Sequence, residues 1–380
     1  MRFMACVCTS LVVVFAFQLP NTSGQEATQL FNGKDLSGWV LVNTPPETWS
    51  AKDGMLVCTG KPIGELRTEK MYHNFELELE WRHMVPGGNA GVFVWADDIT
   101  SRGVPFHRSI EVQVLENAYG NSQSHTTHGD IFPIHGATMT PINGRGGGGS
   151  RAFPTEERSK PSPEWNHYRI VCNDGNISLA VNGKVVTQGK EASPRKGYIC
   201  LESEGGVVHY RNLRIKELPE TPVDAKDVAV SNRGYRSIYT GLNLNGWKIE
   251  EAGKGAWHVK DWVLSFDGSV SGEQARIETI EAIQLSGFVM DFRFTEKSEQ
   301  LKLTLPGGEE PLTFAAKGDS SYSASMEKVG AWNRIEAIAA DGHVQLILNG
   351  EAHELSRSLG KGSISLAPTG PVELANIFVR

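Results

Sequence analysis

The chain says nearly the same thing twice, and this repetition limits its possible folds more than any other feature. "LFNGKDLSGW" (residues 30–39) returns as "IYTGLNLNGW" (238–247), and "TWSAKDGMLVCTG" (48–60) as "AWHVKDWVLSFDG" (256–268). "EWNHYRIVCNDGNISLAVNGK" (164–184) returns as "AWNRIEAIAADGHVQLILNGE" (331–351), and "GYICLESEGGVVHYRNLRIKEL" (197–218) as "GSISLAPTGPVELANIFVR" (362–380). Four blocks in one order predict a tandem duplication: copies over 25–218 and 235–380, joined by a polar, proline-bearing linker at 219–234. Short apolar runs within each copy are separated by Asn-Gly and Asp-Gly pairs ("NDGN", "VNGK", "ADGH", "LNGE"), which accept positive φ in tight hairpin turns. No long amphipathic helical pattern interrupts them. The expected class is all-β: two tandem antiparallel jelly-roll β-sandwich domains, each of two sheets packed face to face.

The N-terminus reads separately. Arg2 precedes an apolar run from Met4 to Phe17 that is short for a membrane span, and the small residues Thr22, Ser23 and Gly24 follow. That pattern predicts a secretory signal over residues 1–24 and an exported chain, periplasmic or extracellular. The alternative is a membrane-anchoring helix; no other segment is apolar enough to span. A net charge of −7 without any Lys/Arg run offers no electrostatic footprint for nucleic acid or an anionic membrane. Beyond the signal, Cys58, Cys172 and Cys200 sit in strand-like apolar runs with no C-x-x-C pair. Buried free thiols are expected, with a Cys172–Cys200 bridge as the alternative.

The copies differ chiefly between Trp81 and Trp165, a stretch more than twice as long as its counterpart Phe294 to Trp332. Loops carry more function than scaffold, so the site is expected in the first copy. Trp39, Trp49 and Trp165 have counterparts in Trp247, Trp257 and Trp332, so these rings are expected to pack the shared scaffold. In "SIEVQVLEN" (109–117), Ile110, Val112 and Val114 alternate with Glu111 and Gln113, giving one apolar and one polar face. The same alternation puts Glu76, Glu78, Glu80 and Arg82 outward in 75–83, and Asn89, Phe93 and Trp95 outward in 89–96. Together they predict a concave polar surface with aromatic rings, suited to sugar hydroxyls and C–H faces. The competing reading, a solvated face of cross-strand ion pairs, suits Glu76 and Glu78 best. His107, His125, His128 and His135 thicken the region without the spacing of a standard metal motif. "GRGGGGS" (144–150) lacks the Lys-Ser/Thr of a phosphate loop and reads as a mobile loop or lid.

"LFNGKDLSGW", "LRTEKMYHNFELELEWR", "GGNAGVFVW", "EVQVLEN" and "EWNHYRIVCNDGNISLAVNGK" together resemble the 3-keto-disaccharide hydrolase domain family over most of residues 30–218. The second copy matches only that family's framework. The resemblance implies a concanavalin-like jelly roll, an exported bacterial protein and a substrate already oxidised to a ketone at C3. It also implies that Asn89, Glu111 and Gln113 fall in family motifs. Ala90 then replaces a usual serine, Glu116 a usual Asp and Trp95 a common arginine, and "HGDIF" (128–132) stands where Thr-Gly-Ala-Ile-Tyr is usual.

A C3 ketone acidifies the C2 proton, so a base can remove it and the C1 substituent can leave by elimination before water adds back. This chemistry needs a general base and donors to the enolate oxygen, rather than paired carboxylates flanking an acetal. The expected base is Glu111, with His128 as an alternative general acid. Gln113, Asn89, Arg82 and Asn117 are expected to bind the enolate or hydroxyls, and Phe93 and Trp95 to hold the ring. No cofactor is expected, although enolisation assisted by a divalent metal with histidine and carboxylate ligands stays open. The expected partner is a carbohydrate, with no nucleic acid and no membrane span after signal cleavage. The rival reading is a non-catalytic glycan-binding β-sandwich, which Trp95 and Ala90 favour as Glu111 and Gln113 favour an enzyme.

Overall fold

The computed structural model describes residues 26–120, 128–142, 149–308, 310–318 and 321–380. The expected signal at 1–24, His125 and residues 144–148 of the glycine-rich loop lie outside the described residues. Among the described residues the helices are short 3-10 turns, and all longer elements are strands paired antiparallel. The class is all-β, as expected. Among the described residues, no helix is long and apolar enough to cross a membrane.

Side-chain alternation builds the layers. In Phe75–His83, Phe75, Leu77, Leu79 and Trp81 are buried, while Glu76, Glu78, Glu80 and Arg82 stay half-buried on the opposite face. This strand lies in a nine-stranded sheet ordered Thr138–Pro141, Lys184–Ser193, Asn176–Val181, Asn166–Asn173, Phe75–His83, Val208–Glu217, Met55–Cys58, Trp49–Lys52, with Thr28–Gln29 beside Val208–Glu217. Its apolar face meets a six-stranded sheet ordered Trp39–Val42, Gly64–Thr68, Tyr198–Ser203, Gly91–Ala96, Ser109–Gln113, Ile131–Ile134. Leu66, Val92, Val94, Ile110, Val112 and Leu201 from the smaller sheet share one core with Leu77, Leu79, Trp81, Tyr168 and Ile170 from the larger. Each fully buried aliphatic or aromatic side chain contributes about 1.5–3 kcal/mol.

Residues 236–379 form a second pair of sheets around a separate core that includes Phe288, Met290, Phe292, Leu301 and Leu346. The larger sheet runs Glu351–Leu355, His343–Leu348, Trp332–Ala340, Gly287–Phe294, Val372–Val379, Val263–Phe266, Trp257–Lys260. The Asn-Gly and Asp-Gly pairs turn hairpins in both halves. Asp174 and Gly175 have φ of 48° and 73°, and Asn349 and Gly350 have 54° and 91°. Two consecutive positive φ values match the right-handed strand twist of a tight hairpin. Four of the six matched tryptophans are buried. Trp165 lies under the Arg82 and Arg211 guanidiniums (4.5 and 4.0 Å to the ring centre) and Trp332 under Arg293 (4.7 Å), so these rings pack the framework. Cys58, Cys172 and Cys200 are buried free thiols.

A loop of the first sandwich joins the halves. Residues 97–108 leave the smaller sheet and present backbone groups to Asp291, which is fully buried on Gly287–Phe294. Asp291 accepts from Arg334 Nε (2.6 Å) and Nη2 (2.8 Å), from the Gly103 N–H (2.8 Å) and from Asn376 Nδ2 (2.7 Å). Arg334 Nη2 also donates to the Thr100 carbonyl (2.9 Å), and Asn376 Nδ2 to those of Ser101 (3.1 Å) and Val104 (2.9 Å). Gly103 abuts Trp332 so closely that a Cβ there would lie 2.3 Å from the ring. Val42, Ile99, Tyr235, Val289 and Phe378 form an apolar cluster that draws on both halves. The connecting segment is tied down as well, through the Asp98–Arg233 ion pair (2.6 Å).

Candidate active site

The face of the six-stranded sheet that turns away from the core carries the site. Register places Phe93 opposite Glu111 on one side and Cys200 on the other, and Gly91 opposite Gln113. Gly91 lets two carboxyls converge. A Cβ at this position would lie 3.0 Å from Glu111 Oε1, 3.0 Å from Glu202 Oε2 and 2.9 Å from the Phe93 ring. The room that a side chain would fill is taken by the acids instead. Asn89 Nδ2 donates to Glu204 Oε2, and Gln113 Nε2 donates to Asn89 Oδ1 (3.0 Å) and to the Ala90 carbonyl (3.3 Å). Glu111 is 7% exposed and Gln113 6%, so the cluster is nearly dry.

Burial and mutual repulsion set the proton inventory. The Glu111 carboxyl is pushed up to about 8, first by burial and then by the Glu204 charge; Arg151 opposes this and Asp130 adds to it. Glu202 is held well above the carboxylate range by burial and by its neighbours Glu111 and Glu204. Burial also raises Glu204, against hydrogen bonds from Glu202 and Asn89. Glu202 therefore holds its proton more tightly than an ordinary carboxyl, and Glu111 ionises only at about 8. Arg151 Nη1 pairs with Asp130 Oδ2 (2.9 Å), and its guanidinium stacks 3.4 Å from the centre of Phe132, the residue paired with Glu111 on the adjacent strand. The site thus offers a strengthened base, a second carboxyl beside it that favours its protonated form, and a cation. Apart from this cluster, Glu65, His107 and Cys200 are the described residues whose ligand atoms lie within 4.8 Å of one another, close enough to hold a metal ion.

Glu111, Gln113 and Asn89 come together as the sequence predicts, with one change of role. Both Gln113 amide hydrogens are spent on Asn89 and Ala90, so this residue presents an acceptor oxygen and not a donor. Arg82 is a correction. It lies on the outer face of the nine-stranded sheet, stacked on Trp165 and 3.3 Å from His209 Nδ1. Phe75–His83 and Gly91–Ala96 belong to different sheets, so outward on one points opposite to outward on the other. Beside Arg82, Glu76 pairs with Arg169 (2.6 Å) and Glu78 with Arg214 (2.7 Å), a solvated ion-pair face.

Trp95 is a second correction. Its φ of 57° and a shift of register between Tyr198 and Cys200 rotate the ring into the core, where Nε1 donates to the His73 carbonyl (2.8 Å). Phe93 faces the site side but is fully buried, edge-on to Phe106 at 5.6 Å, and forms floor rather than a stacking surface. The rings on which a glycan-binding reading depends are therefore inaccessible.

His128 and Asn117 are further corrections. The Arg158 and Ser159 N–H groups donate to His128 Nε2 (3.1 and 3.3 Å), and Nδ1 bonds Ser159 Oγ (2.7 Å). Burial pulls this imidazole down to about 4, so it is neutral, and both nitrogens are engaged in holding the 158–160 backbone. Asn117 serves the same segment, donating to the Ser159 carbonyl (3.2 Å). Glu116 is likewise structural, accepting from the N–H groups of Gly87, Ala118 and Ser162 (2.7, 2.7 and 2.9 Å).

Sequence reasoning missed Glu202, Glu204, Phe132 and Arg151. A signal for the first two was present. "CLESEGG" alternates like "EVQ", and the matching positions near the C-terminus are Ala367 and Thr369. Arg151 lies beyond any periodic run, so nothing local marked it.

Residues 26–216, about half of the chain, match the family described as the 3-keto-alpha-glucoside-1,2-lyase-like domain. A 3-keto-disaccharide hydrolase of Bacteroides thetaiotaomicron is 25% identical over 259 residues, covering 53% of this chain and 82% of that protein. Among solved structures, a candidate glycosyl hydrolase of Parabacteroides distasonis has 23% identity and a TM-score of 0.39, over 51% of this chain and 94% of the other. A Bacillus subtilis carbohydrate-binding module has 10% identity and a TM-score of 0.35, over 47% of this chain and 96% of the module.

Proposed function

This chain belongs to the 3-keto-α-glucoside-1,2-lyase-like family, and from that premise we propose that its first sandwich cleaves glycosides oxidised to a ketone at C3. The observation that carries the reading is the convergence across Gly91 of Glu111, a carboxyl of raised basicity, with Glu202, a second carboxyl that burial and its neighbours favour in the protonated form. Ionised Glu111 takes the C2 proton, and the C–H electron pair forms the C2–C3 enolate. Collapse of the enolate restores the C3 ketone, makes the C1–C2 double bond and breaks the C1–O bond. The departing oxygen takes up a proton. Water then adds to C1 of the enone and a proton returns to C2, so the net change is hydrolysis. Glu202 and Arg151 supply a proton donor and a positive charge for the enolate oxygen, and Gln113 accepts from a sugar hydroxyl.

Substrate selectivity tests this reading. A 3-keto-disaccharide should be cleaved in D2O, with deuterium appearing at C2 of the product, while its unoxidised parent stays intact. An inert keto sugar would refute the proposal. One observation favours a second reading. Two carboxyl oxygens at a common 3.0 Å from one point are at most about 6 Å apart, which admits the spacing of a retaining glycosidase. Cleavage of the unoxidised parent, without deuterium at C2, would select that mechanism.

The pH profile follows from the same cluster. A base that ionises near pH 8 should give a kcat/KM that rises with pH up to about 8 and then levels. Glu204→Gln removes the charge that ranks second, after burial, in raising Glu111, so the limb should move to lower pH. A limb unmoved in this variant would show that Glu204 does not act on the base.

A further inference from the structure

We propose a second, closed site in the first sandwich: a zinc ion held by Glu65, His107 and Cys200. Three distant segments supply these donors, namely the strand Gly64–Thr68, the turn before Ser109–Gln113 and the strand Tyr198–Ser203. Glu65 lies opposite Glu202 and Cys200 opposite Phe93, so the group sits on the site face of the sheet and not in the core between sheets. All three residues are fully buried, and their ligand atoms lie within 4.8 Å of one another.

The decisive geometry is at the imidazole. Cys200 Sγ is 3.7 Å from His107 Nδ1, and Glu65 Oε2 contacts the same nitrogen. A thiol–imidazole–carboxylate relay needs the thiol and the acid on opposite ring nitrogens. Here both face the same nitrogen, so the group is not arranged as such a relay. A cation at the lone pair of that nitrogen serves all three donors at once.

Charge points the same way. Apart from its contact with His107 Nδ1, Glu65 Oε2 has no hydrogen-bond partner among the described residues. A carboxylate this deeply buried is costly, and a divalent ion would offset it together with the thiolate that Cys200 becomes on binding the ion. One oxygen, one nitrogen and one sulfur donor suit a borderline ion, hence zinc over calcium or magnesium. Phe93, Ala96 and Tyr198 cluster with Cys200, with Phe106 packed against them, so the site is shut off from substrate and serves to clamp the strands beneath the carboxyls.

Cobalt substitution tests the proposal independently of any activity. The full chain, stripped by chelator, should take up one equivalent of Co2+ with a thiolate-to-cobalt charge-transfer band, and Zn2+ should abolish that band. Cys200→Ser should lose it, and Cys172→Ser, on the other sheet, should keep it. No band in wild type, or a band that survives Cys200→Ser, would overturn the assignment. Should Cys200→Ser fail to fold, zinc-edge X-ray absorption of the wild-type chain decides. A shell of one sulfur with nitrogen and oxygen supports the site; a shell without sulfur, or no zinc uptake, refutes it.

Discussion

Glu111→Gln should lower kcat/KM on a 3-keto-disaccharide by about 10²–10⁴-fold, the usual contribution of a positioned general base. The amide keeps the shape and the place beside Gly91 but cannot take a proton from C2. A merely structural role for Glu111 would instead show as lost stability, and the expected sign there is opposite. The folded carboxyl, pushed up from 4.5 to about 8, holds its proton through a pH range where the unfolded chain has released it. Stability from this group is therefore present below pH 4.5, declines as pH rises through the interval and is lost above about 8. Glu111→Gln has no such proton to lose, so its melting temperature should fall less than that of wild type between pH 5 and pH 9. Retained activity would remove Glu111 from the base role. A variant less stable than wild type at pH 9 would show that the carboxyl contributes by packing.

Asp291→Ala should destabilise the chain by about 3–5 kcal/mol, the usual cost of removing one partner from a buried ion pair. The aspartate is the point where the Gly103 N–H, the Arg334 guanidinium and the Asn376 amide converge. Without it, Arg334 keeps the Thr100 carbonyl as a partner but loses both carboxylate oxygens in a largely buried place. Asp291→Asn keeps the volume and one acceptor oxygen, so it should cost less. Chemical denaturation of both variants beside wild type measures this. A loss below about 1 kcal/mol for the alanine variant, in the range of ordinary surface changes, would mean that the loop 97–108 is held by its apolar contacts alone.

Much of the framework was legible because it depends on each residue and its near neighbours. Period-2 alternation put Leu77, Val92, Ile110 and Val112 in the core and turned Glu111 and Gln113 away from it. Asn-Gly and Asp-Gly pairs marked hairpins because few other residues accept two consecutive positive φ values. Trp95 shows the limit of that logic. One irregular step in the pairing of Gly91–Ala96 inverted the faces of Trp95 and Ala96, and no pattern of polar and apolar residues announces such a step.

The sequence by itself determined which residues of the regularly paired strands face inward, where hairpins turn and that Glu111 and Gln113 share a polar face. Only the tertiary structure decided which of two sheets each face belongs to. That choice separated Arg82 from Glu111 and brought Glu202 and Glu204 beside it. The physical reason is range. Alternation and turn geometry are set by torsions within a few residues. The meeting of Glu111 with Glu202 depends on antiparallel register between strands far apart in the chain, and on a glycine at position 91 that leaves room for both acids.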